Sequence, residues 1–408
     1  FNGTFRNCYF RNCTDPHFTY YGRTVSFPAN EWGYHTDAIL FENCTFANIG
    51  YVYQQENGNY ADNVYFNHCT FVNVLMFSLE SGWWYKISVT NSLWLNAFMR
   101  GEEPVRYAAH GGPLGGTINI DSVASFGFAV PFAEQDRRVL FAHNSYYIEP
   151  WLVDWMANNP SAQERRREGG EDCIPRPLPM LNSQTLAFFA SSEFPYMNAA
   201  KLYEAMDPGM ILPPTDTTAI ERFLEEKWWG CEDVSWAWRP DLSAKYTWPF
   251  QENLAYVNDT LLCAAMGGFP LGDLYRWFPH EHKRWKLQAD TEWAQISYWL
   301  EKGTEPTGVF GLMNPPSRGV PSGFFLEQNY PNPSGARTTI RYRLPQACNV
   351  QLVLFDLLGR EVATPLRASQ SRGDHTVTLD CSGLPEGVYL YQLQTGGVWM
   401  TRKLLVLK

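Results

Sequence analysis

The chain has 408 residues, room for two or three domains and a sizeable core. Aromatic residues make up 16% of it and charged residues only 18%, with a formal net charge of −10. That acidic balance argues against nucleic acid or an anionic membrane as the main partner, and no run of about twenty apolar residues marks a membrane span.

The first predicted elements repeat. Phe41-Glu-Asn-Cys-Thr-Phe-Ala-Asn48 returns as Phe66-Asn-His-Cys-Thr-Phe-Val-Asn73 and, more loosely, as Val89-Thr-Asn-Ser-Leu-Trp-Leu-Asn96. An earlier copy is Phe5-Arg-Asn-Cys-Tyr-Phe-Arg-Asn12, and weaker ones lie at Ile120-Asp-Ser122 and Phe141-Ala-His-Asn-Ser145. The small residue falls at Cys8, Cys44, Cys69, Ser92, Ser122 and Ser145, so the gaps are 36, 25, 23, 30 and 23. Repeats of this length built from short alternating apolar runs are a solenoid signature. Within each copy, Ile39 and Phe41, Val64 and Phe66, and Ile87 and Val89 alternate as the inward residues of a strand. Asn then fits a tight turn because it tolerates left-handed backbone. The small residue suits a narrow interior, and Phe46, Phe71 or Trp94 turns inward again. One unit cannot bury its own apolar face, but stacked units can.

These repeats resemble right-handed parallel β-helix proteins of the pectate-lyase-like kind over about residues 1–150. The competing reading is a β-sandwich with coincidental Asn-Cys pairs. Of the nine cysteines, Cys8, Cys44 and Cys69 read as a buried stack, while Cys173, Cys231 and Cys263 leave some disulfide pairing open. A solenoid needs an N-terminal cap, and Phe1 already lies inside a repeat, so a longer N-terminal part is expected. Residues 14–36 and 97–116 are excursions between rungs, of the kind that gathers on one side and lines a binding face.

Residues 151–302 read either as a separate mixed domain or, the preferred reading, as a mixed helical and loop elaboration that caps the solenoid and packs along its side. Helical segments are expected at Thr185–Phe189, Asn198–Met206 and Thr215–Trp229, the last with Asp216 as N-cap and Ile220, Phe223, Leu224 and Trp228 as its apolar stripe. Leu261–Met266 and Trp285–Leu300 read as further helical or apolar elements. This body resembles uncharacterised exported proteins carrying Gly-Asp-Leu-Tyr-Arg-Trp, here Gly272–Trp277, a likeness that implies no chemistry. Residues 303–323, rich in Pro and Gly, read as a linker.

From residue 324 the pattern becomes about seven short strands with turn residues between them, a small β-sandwich. It opens with Asn329-Tyr-Pro-Asn-Pro333, continues through Asp356-Leu-Leu-Gly-Arg-Glu-Val362 and Ser382-Gly-Leu-Pro-Glu-Gly-Val-Tyr389, and ends on Lys403-Leu-Leu405. Residues 324–408 resemble the type A C-terminal sorting domain of the type IX (Por) secretion system. The resemblance implies sorting-signal roles for Asn329, Pro331, Asn332, Pro333, Asp356, Gly359, Arg360, Gly387, Tyr389 and Lys403. It also implies the type IX machinery as partner, and an extracellular or outer-surface location on a Gram-negative bacterium.

Catalytic patterns are sparse. No Asp-Asp pair, Asn-Thr-Asp or Gly-His-Gly of the polysaccharide-degrading β-helices occurs, and no phosphate-binding loop or nucleophile elbow. Asp37, Glu80, Glu102, Glu103 and Asp121 are the acids best placed near rungs. Glu102, Glu103 and His110 are the weak catalytic candidates. Trp32, Trp83, Trp84 and Tyr85 are carbohydrate-binding candidates, since a ring offers a flat apolar contact beside polar groups. His280-Glu-His282 reads as an exposed polar loop, and neither a metal nor a cofactor is expected. The primary expectation is a surface structural or adhesion protein that binds polysaccharide or copies of itself. The alternative is a polysaccharide lyase or glycoside hydrolase.

Overall fold

The computed structural model describes residues 1–14, 22–27, 35–55, 59–80, 82–105, 115–213, 217–229, 252–306, 325–356, 360–395 and 398–407. It divides into two compact units. One holds Phe1–Ala265, Pro270–Lys286 and Trp299–Thr304; the other holds Met266–Phe269, Leu287–Tyr298 and Glu305–Lys408.

The first unit is built on a curled parallel sheet of nine strands. Its members are β1 (Asn2–Arg6), β2 (Tyr9–Arg11), β4 (Ala38–Glu42), β5 (Thr45–Ile49), β7 (Ala61–Asn67), β8 (Thr70–Val74), β10 (Trp84–Ala97), β11 (Arg138–Tyr147) and β12 (Met197–Glu204). On one face β1, β4, β7, β10, β11 and β12 follow one another in parallel, and Ile39, Val64, Ile87, Val139 and Met197 stand in one register. On the next face β2, β5, β8 and the second half of β10 do the same. A separate parallel sheet joins β3 (Arg23–Phe27), β6 (Tyr51–Gln55) and β9 (Leu79–Glu80), and single bridges carry its line on through Ile118 to Leu181. β13 (Met210–Leu212) and β14 (Asn253–Tyr256) form a short antiparallel pair.

The turns between faces explain the recurring asparagine. Asn7, Asn43, His68, Asn91, His143 and Lys201 all have positive φ at the first corner, and Asn12, Asn48, Asn73 and Asn96 at the second. Left-handed backbone costs an ordinary residue about 1–2 kcal/mol and Asn less. The second set is also a hydrogen-bonded ladder. Asn48 Nδ2 donates to Asn12 Oδ1 at 3.1 Å, Asn73 Nδ2 to Asn48 Oδ1 at 3.3 Å and Asn96 Nδ2 to Asn73 Oδ1 at 3.0 Å. Glu149 ends it, accepting from Asn96 Nδ2 at 2.6 Å and donating its backbone N–H to Asn96 Oδ1 at 2.9 Å.

Like residues stack inside. Phe10, Phe46, Phe71 and Trp94 form one column, with ring centroids 5.0, 5.1 and 4.5 Å apart and planes within 9° of parallel. Phe5, Phe41 and Phe66 form a second, at 4.9 and 4.6 Å. Cys44 Sγ donates to Phe5 O at 3.4 Å and Cys69 Sγ to Phe41 O at 3.6 Å. All eight described cysteines are free thiols; Cys231 lies outside the described residues.

Three sequence expectations are corrected. Register places Asn144, not Ser145, opposite Ser92, and Asn144 Oδ1 accepts from Ser92 N–H at 3.0 Å. Ser122 belongs to no rung of these faces, because the preceding Ile118 lies on the line of Leu79 and Leu181. Residues 198–204 are strand β12 rather than helix: the open edge of β11 supplies backbone partners that outweigh a helical composition. Helices do form at Ser183–Ala190, Thr217–Trp229 and Ala289–Lys302. Leu261–Cys263 and Met266–Gly268 are short 3₁₀ turns. Asp216 lies outside the described residues.

The Gly272–Trp277 segment docks on the second face. Gly272 N–H donates to Asn91 O at 2.8 Å, and a Cβ on Gly272 would meet Thr70 Oγ1 at 2.4 Å, so only glycine allows this approach. Asp273 caps the helix Leu274–Trp277 by accepting from Arg276 N–H at 3.0 Å, and it accepts from Thr45 Oγ1 at 2.7 Å. Trp277 Nε1 donates to Thr45 Oγ1 at 2.8 Å, and Thr70 Oγ1 accepts from Asp273 N–H at 2.8 Å. Burial pushes the Asp273 carboxyl up to about 7.

The second unit contains two antiparallel sheets. β15 (Phe325–Leu326), β16 (Arg337–Leu344) and β19 (Gly373–Asp380) form one; β18 (Glu361–Gln370), β17 (Cys348–Phe355), β20 (Gly387–Thr395) and β21 (Val398–Val406) form the other. Leu326, Ile340, Leu352, Tyr391, Leu393 and Leu404 lie in one core that both sheets share. Alternation is plain in β16, where Thr338, Ile340, Tyr342 and Leu344 point inward.

Two outcomes follow. Phe71→Ala removes the centre of an aromatic column and is expected to lower stability by about 3–5 kcal/mol in urea denaturation followed by circular dichroism. Asp273 binds a proton more tightly folded than unfolded, so its contribution to stability is full below pH 4 and falls as pH rises from about 4 to 7, by up to about 4 kcal/mol. Asp273→Asn is expected to flatten the stability–pH curve in that window.

Candidate functional site

The parallel register that stacks the interior also stacks the exterior. Thr36, Ala61 and Trp84 occupy one inward position on successive rungs. The residues on either side therefore make two outward columns. One is His35, Tyr60, Trp83; the other is Asp37, Asp62, Tyr85. Backbone bonds fix the first step, with Thr36 N–H on Tyr60 O at 3.1 Å and Asp62 N–H on Thr36 O at 2.8 Å. The His35 ring lies flat on Tyr60, 4.8 Å between centroids and 5° between planes. Its Nε2 stands 2.8 Å from Asp62 Oδ2 and 3.3 Å from Asp37 Oδ1. The other oxygen of Asp37 meets the Phe1 amino group at 3.0 Å and Asn2 Nδ2 at 3.4 Å.

A loop completes the face. Phe132 packs on Tyr60 at 5.6 Å and on Tyr85 at 5.2 Å, while Trp83 packs on Phe128 at 5.2 Å. The loop is pinned by Arg137, which is fully buried. Its Nε donates to Trp84 O at 2.8 Å, Nη1 to Asp121 O and Glu134 Oε1 at 2.7 Å each, and Nη2 to Gly82 O at 2.5 Å. Gly82 lets the strands approach, since a Cβ there would lie 2.4 Å from Asp121 N. The nearby basic groups are engaged: Lys86 and Arg138 both pair with Glu301.

Of the sequence-selected aromatics, Trp83 and Tyr85 are partly exposed on this face, and Trp84 is buried in the interior. Trp32 and His110 lie outside the described residues. Glu103 is buried and ion-paired with Arg165, and Glu102 exchanges backbone hydrogen bonds with Arg176 at 3.1 and 3.0 Å. Asp121 Oδ2 accepts from Gly82 N–H at 3.1 Å. The exposed loop expected at His280–His282 is instead part of the helix Pro279–Trp285 with His282 buried: His280 pairs with Glu281 at 3.2 Å, whereas His282 stacks on Trp285 at 5.5 Å, so the two histidines do not converge. Burial lowers His282 to about 4. Sequence reasoning missed His35, Tyr60, Asp62 and the Phe126–Phe132 loop. One signal was present: Asp37 and Asp62 are separated by 25 residues, the same spacing as Cys44 and Cys69.

In the second unit the Asn329–Pro333 segment is fastened to β21 and to the core. Asn329 Nδ2 donates to Thr338 Oγ1 at 2.8 Å and to Pro331 O at 3.0 Å, and Asn329 N–H donates to Tyr391 Oη at 2.7 Å. Asn332 Nδ2 donates to Lys403 O at 3.1 Å and its Oδ1 accepts from Leu405 N–H at 2.8 Å. Pro331 and Pro333 both follow cis peptide bonds, and Tyr330, directly before Pro331, is 82% exposed. Asp356 and Arg360 pair at 2.7 Å, and Gly359 lies outside the described residues. Tyr389 Oη donates to Pro385 O at 2.9 Å, and Gly387 opens β20 with φ 153°. Neither Thr338, nine residues on, nor Tyr391, 62 residues on, carried a sequence signal for this role.

Residues 328–407 match the family model described as the secretion system C-terminal sorting domain. No curated protein matches the chain. No solved structure matches it either.

Replacing Arg137 by Met would strand Glu134 Oε1 and three backbone carbonyls, at an expected cost of about 3–5 kcal/mol. Limited proteolysis is expected to nick the variant between residues 121 and 136 before the wild type.

Proposed function

We propose, from the premise that residues 328–407 are a type IX secretion sorting domain, that the exported cargo is a glycan-binding protein of the cell surface. Secretion through the type IX machinery to the surface or the exterior is carried by that domain. In the proposed arrangement residues 1–150 are the main part of a right-handed parallel β-helix, with β12 as a further rung. Residues 151–302 are an elaboration along its side, 303–323 a linker and 324–408 a sorting β-sandwich. Three parallel ladders around one shared core support the helix. The docking of Gly272–Trp277 on Thr45, Thr70 and Asn91 supports the elaboration.

The observation that carries glycan binding is the pair of outward columns. Partly exposed rings of Tyr60, Trp83, Tyr85 and Phe132 stand beside the carboxylates of Asp37 and Asp62. Rings match the apolar faces of sugars and carboxylates accept from their hydroxyls. The loop is held in place by Arg137 before any ligand arrives, which lowers the ordering cost of binding. Self-association as a surface assembly is the companion reading for the same scaffold. A lyase or hydrolase is the second reading, favoured by two carboxylates on adjacent rungs, whereas Lys86 and Arg138 are tied to Glu301 and poorly placed to take a proton.

Affinity electrophoresis of the purified chain against acidic and neutral polysaccharides tests this. At least one glycan is expected to retard the wild type, and the Trp83→Ala/Tyr85→Ala double variant is expected to bind about tenfold more weakly, about 1.4 kcal/mol. Equal retardation of both proteins would remove the site. Release of new reducing ends by the wild type, abolished in Asp62→Asn, would establish the enzymatic reading instead.

A further inference from the structure

We propose that His35, Asp37 and Asp62 form a binding site for a divalent transition cation of the Zn²⁺ or Mn²⁺ class. His35 Nε2, Asp37 Oδ1 and Asp62 Oδ2 converge from two adjacent rungs, and ligand atoms of the three residues all lie within 4.8 Å of one another. Ligands about 2.0–2.2 Å from a tetrahedral Zn²⁺ stand about 3.4 Å apart. The 3.3 Å from Nε2 to Asp37 matches that spacing, and the 2.8 Å to Asp62 is a hydrogen-bond length that must open slightly to admit an ion.

The donor set has the right chemistry. Imidazole with carboxylates suits Zn²⁺, Mn²⁺ and their neighbours, whereas an all-oxygen set would suit Ca²⁺ or Mg²⁺. Hydrogen bonding alone fits this geometry less well. A single Nε2–H cannot point along both directions at once, while a cation accepts one lone pair from each of the three atoms. The imidazole is also held rigidly. Its flat stack on Tyr60 and the backbone bonds of Thr36 and Asp62 orient Nε2 between the two carboxylates.

Three protein ligands leave coordination positions open to solvent. Those positions lie on the face that also carries Tyr60 and Tyr85, the next members of the two columns. A bound cation there would present a Lewis-acidic point to hydroxyl or carboxylate oxygens of a ligand resting on the rings. Cation binding itself does not depend on the glycan reading, and its test contains metal alone.

The full chain, stripped with chelator, is titrated with Mn²⁺ at neutral pH while free Mn²⁺ is followed by electron paramagnetic resonance, and separately with Zn²⁺ by calorimetry. One saturable equivalent is expected. Asp62→Asn and His35→Gln are each expected to weaken it by at least about tenfold, while Glu171→Gln, an exposed acid elsewhere, leaves it unchanged. Co²⁺ is expected to give a visible absorption band that His35→Gln alters. Circular dichroism confirms folding; if Asp62→Asn fails to fold, His35→Gln carries the test. Absence of saturable binding in the wild type, or equal binding in folded His35→Gln, would overturn the site.

Discussion

The left-handed turn is the constraint on which the body depends. Each rung must change direction at the same two corners, and at each corner one residue carries positive φ. If one corner lost its register, every inward side chain downstream would swap faces. Asparagine serves both needs, tolerating the backbone and offering an amide that donates to the rung below and accepts from the rung above. The Asn12–Asn48–Asn73–Asn96 ladder is thus a register mark repeated in the third dimension. Where the first corner uses His68 and His143 instead, other contacts take over. His68 packs edge-on against Trp285, and His143 Nδ1 bonds Ala264 O at 2.6 Å. Burial holds the His143 imidazole neutral, with its pKa lowered to about 3.

Much of this was legible because the repeat is written in residue types that have one physical use. The Phe-x-Asn-Cys-x-Phe-x-Asn pattern located the strands, both corners and the interior columns of the first four rungs. Legibility ended where a different residue filled the same role. Asn144 replaces the small residue in β11, and β12 carries Lys201 at the corner and Leu202 opposite Asn144. Nothing local distinguishes that segment from a helix; the open edge of β11 decides it. The outward columns were readable in principle from the spacing of 25, but their loop partners were not. Phe128 and Phe132 reach Trp83 and Tyr85 only because Arg137 ties together backbone from Gly82, Trp84 and Asp121.

The two units use polar residues in the same manner. In the sorting domain, the side chains singled out by their motif act largely as fasteners. Asn329 and Asn332 bind the segment to Thr338, Lys403 and Leu405, which leaves Tyr330 turned to solvent. In the body, Asp273 and Glu149 end or clamp ladders. In both, polar atoms that would be costly to bury alone are paired, and that pairing leaves rings facing outward.

The column of Cys8, Cys44 and Cys69 has a consequence for the order of events during export. Thiols placed one above another in a narrow interior are inert once enclosed, and burial raises the Cys69 thiol well above its ordinary value. On an open chain the same thiols are free to react in a compartment that forms disulfides. Parallel pairing between distant strands is slow to assemble. The interior therefore sets a deadline: the strands must close over Cys44 and Cys69 before an oxidant reaches them, and a disulfide formed earlier must be exchanged away before those strands can pair.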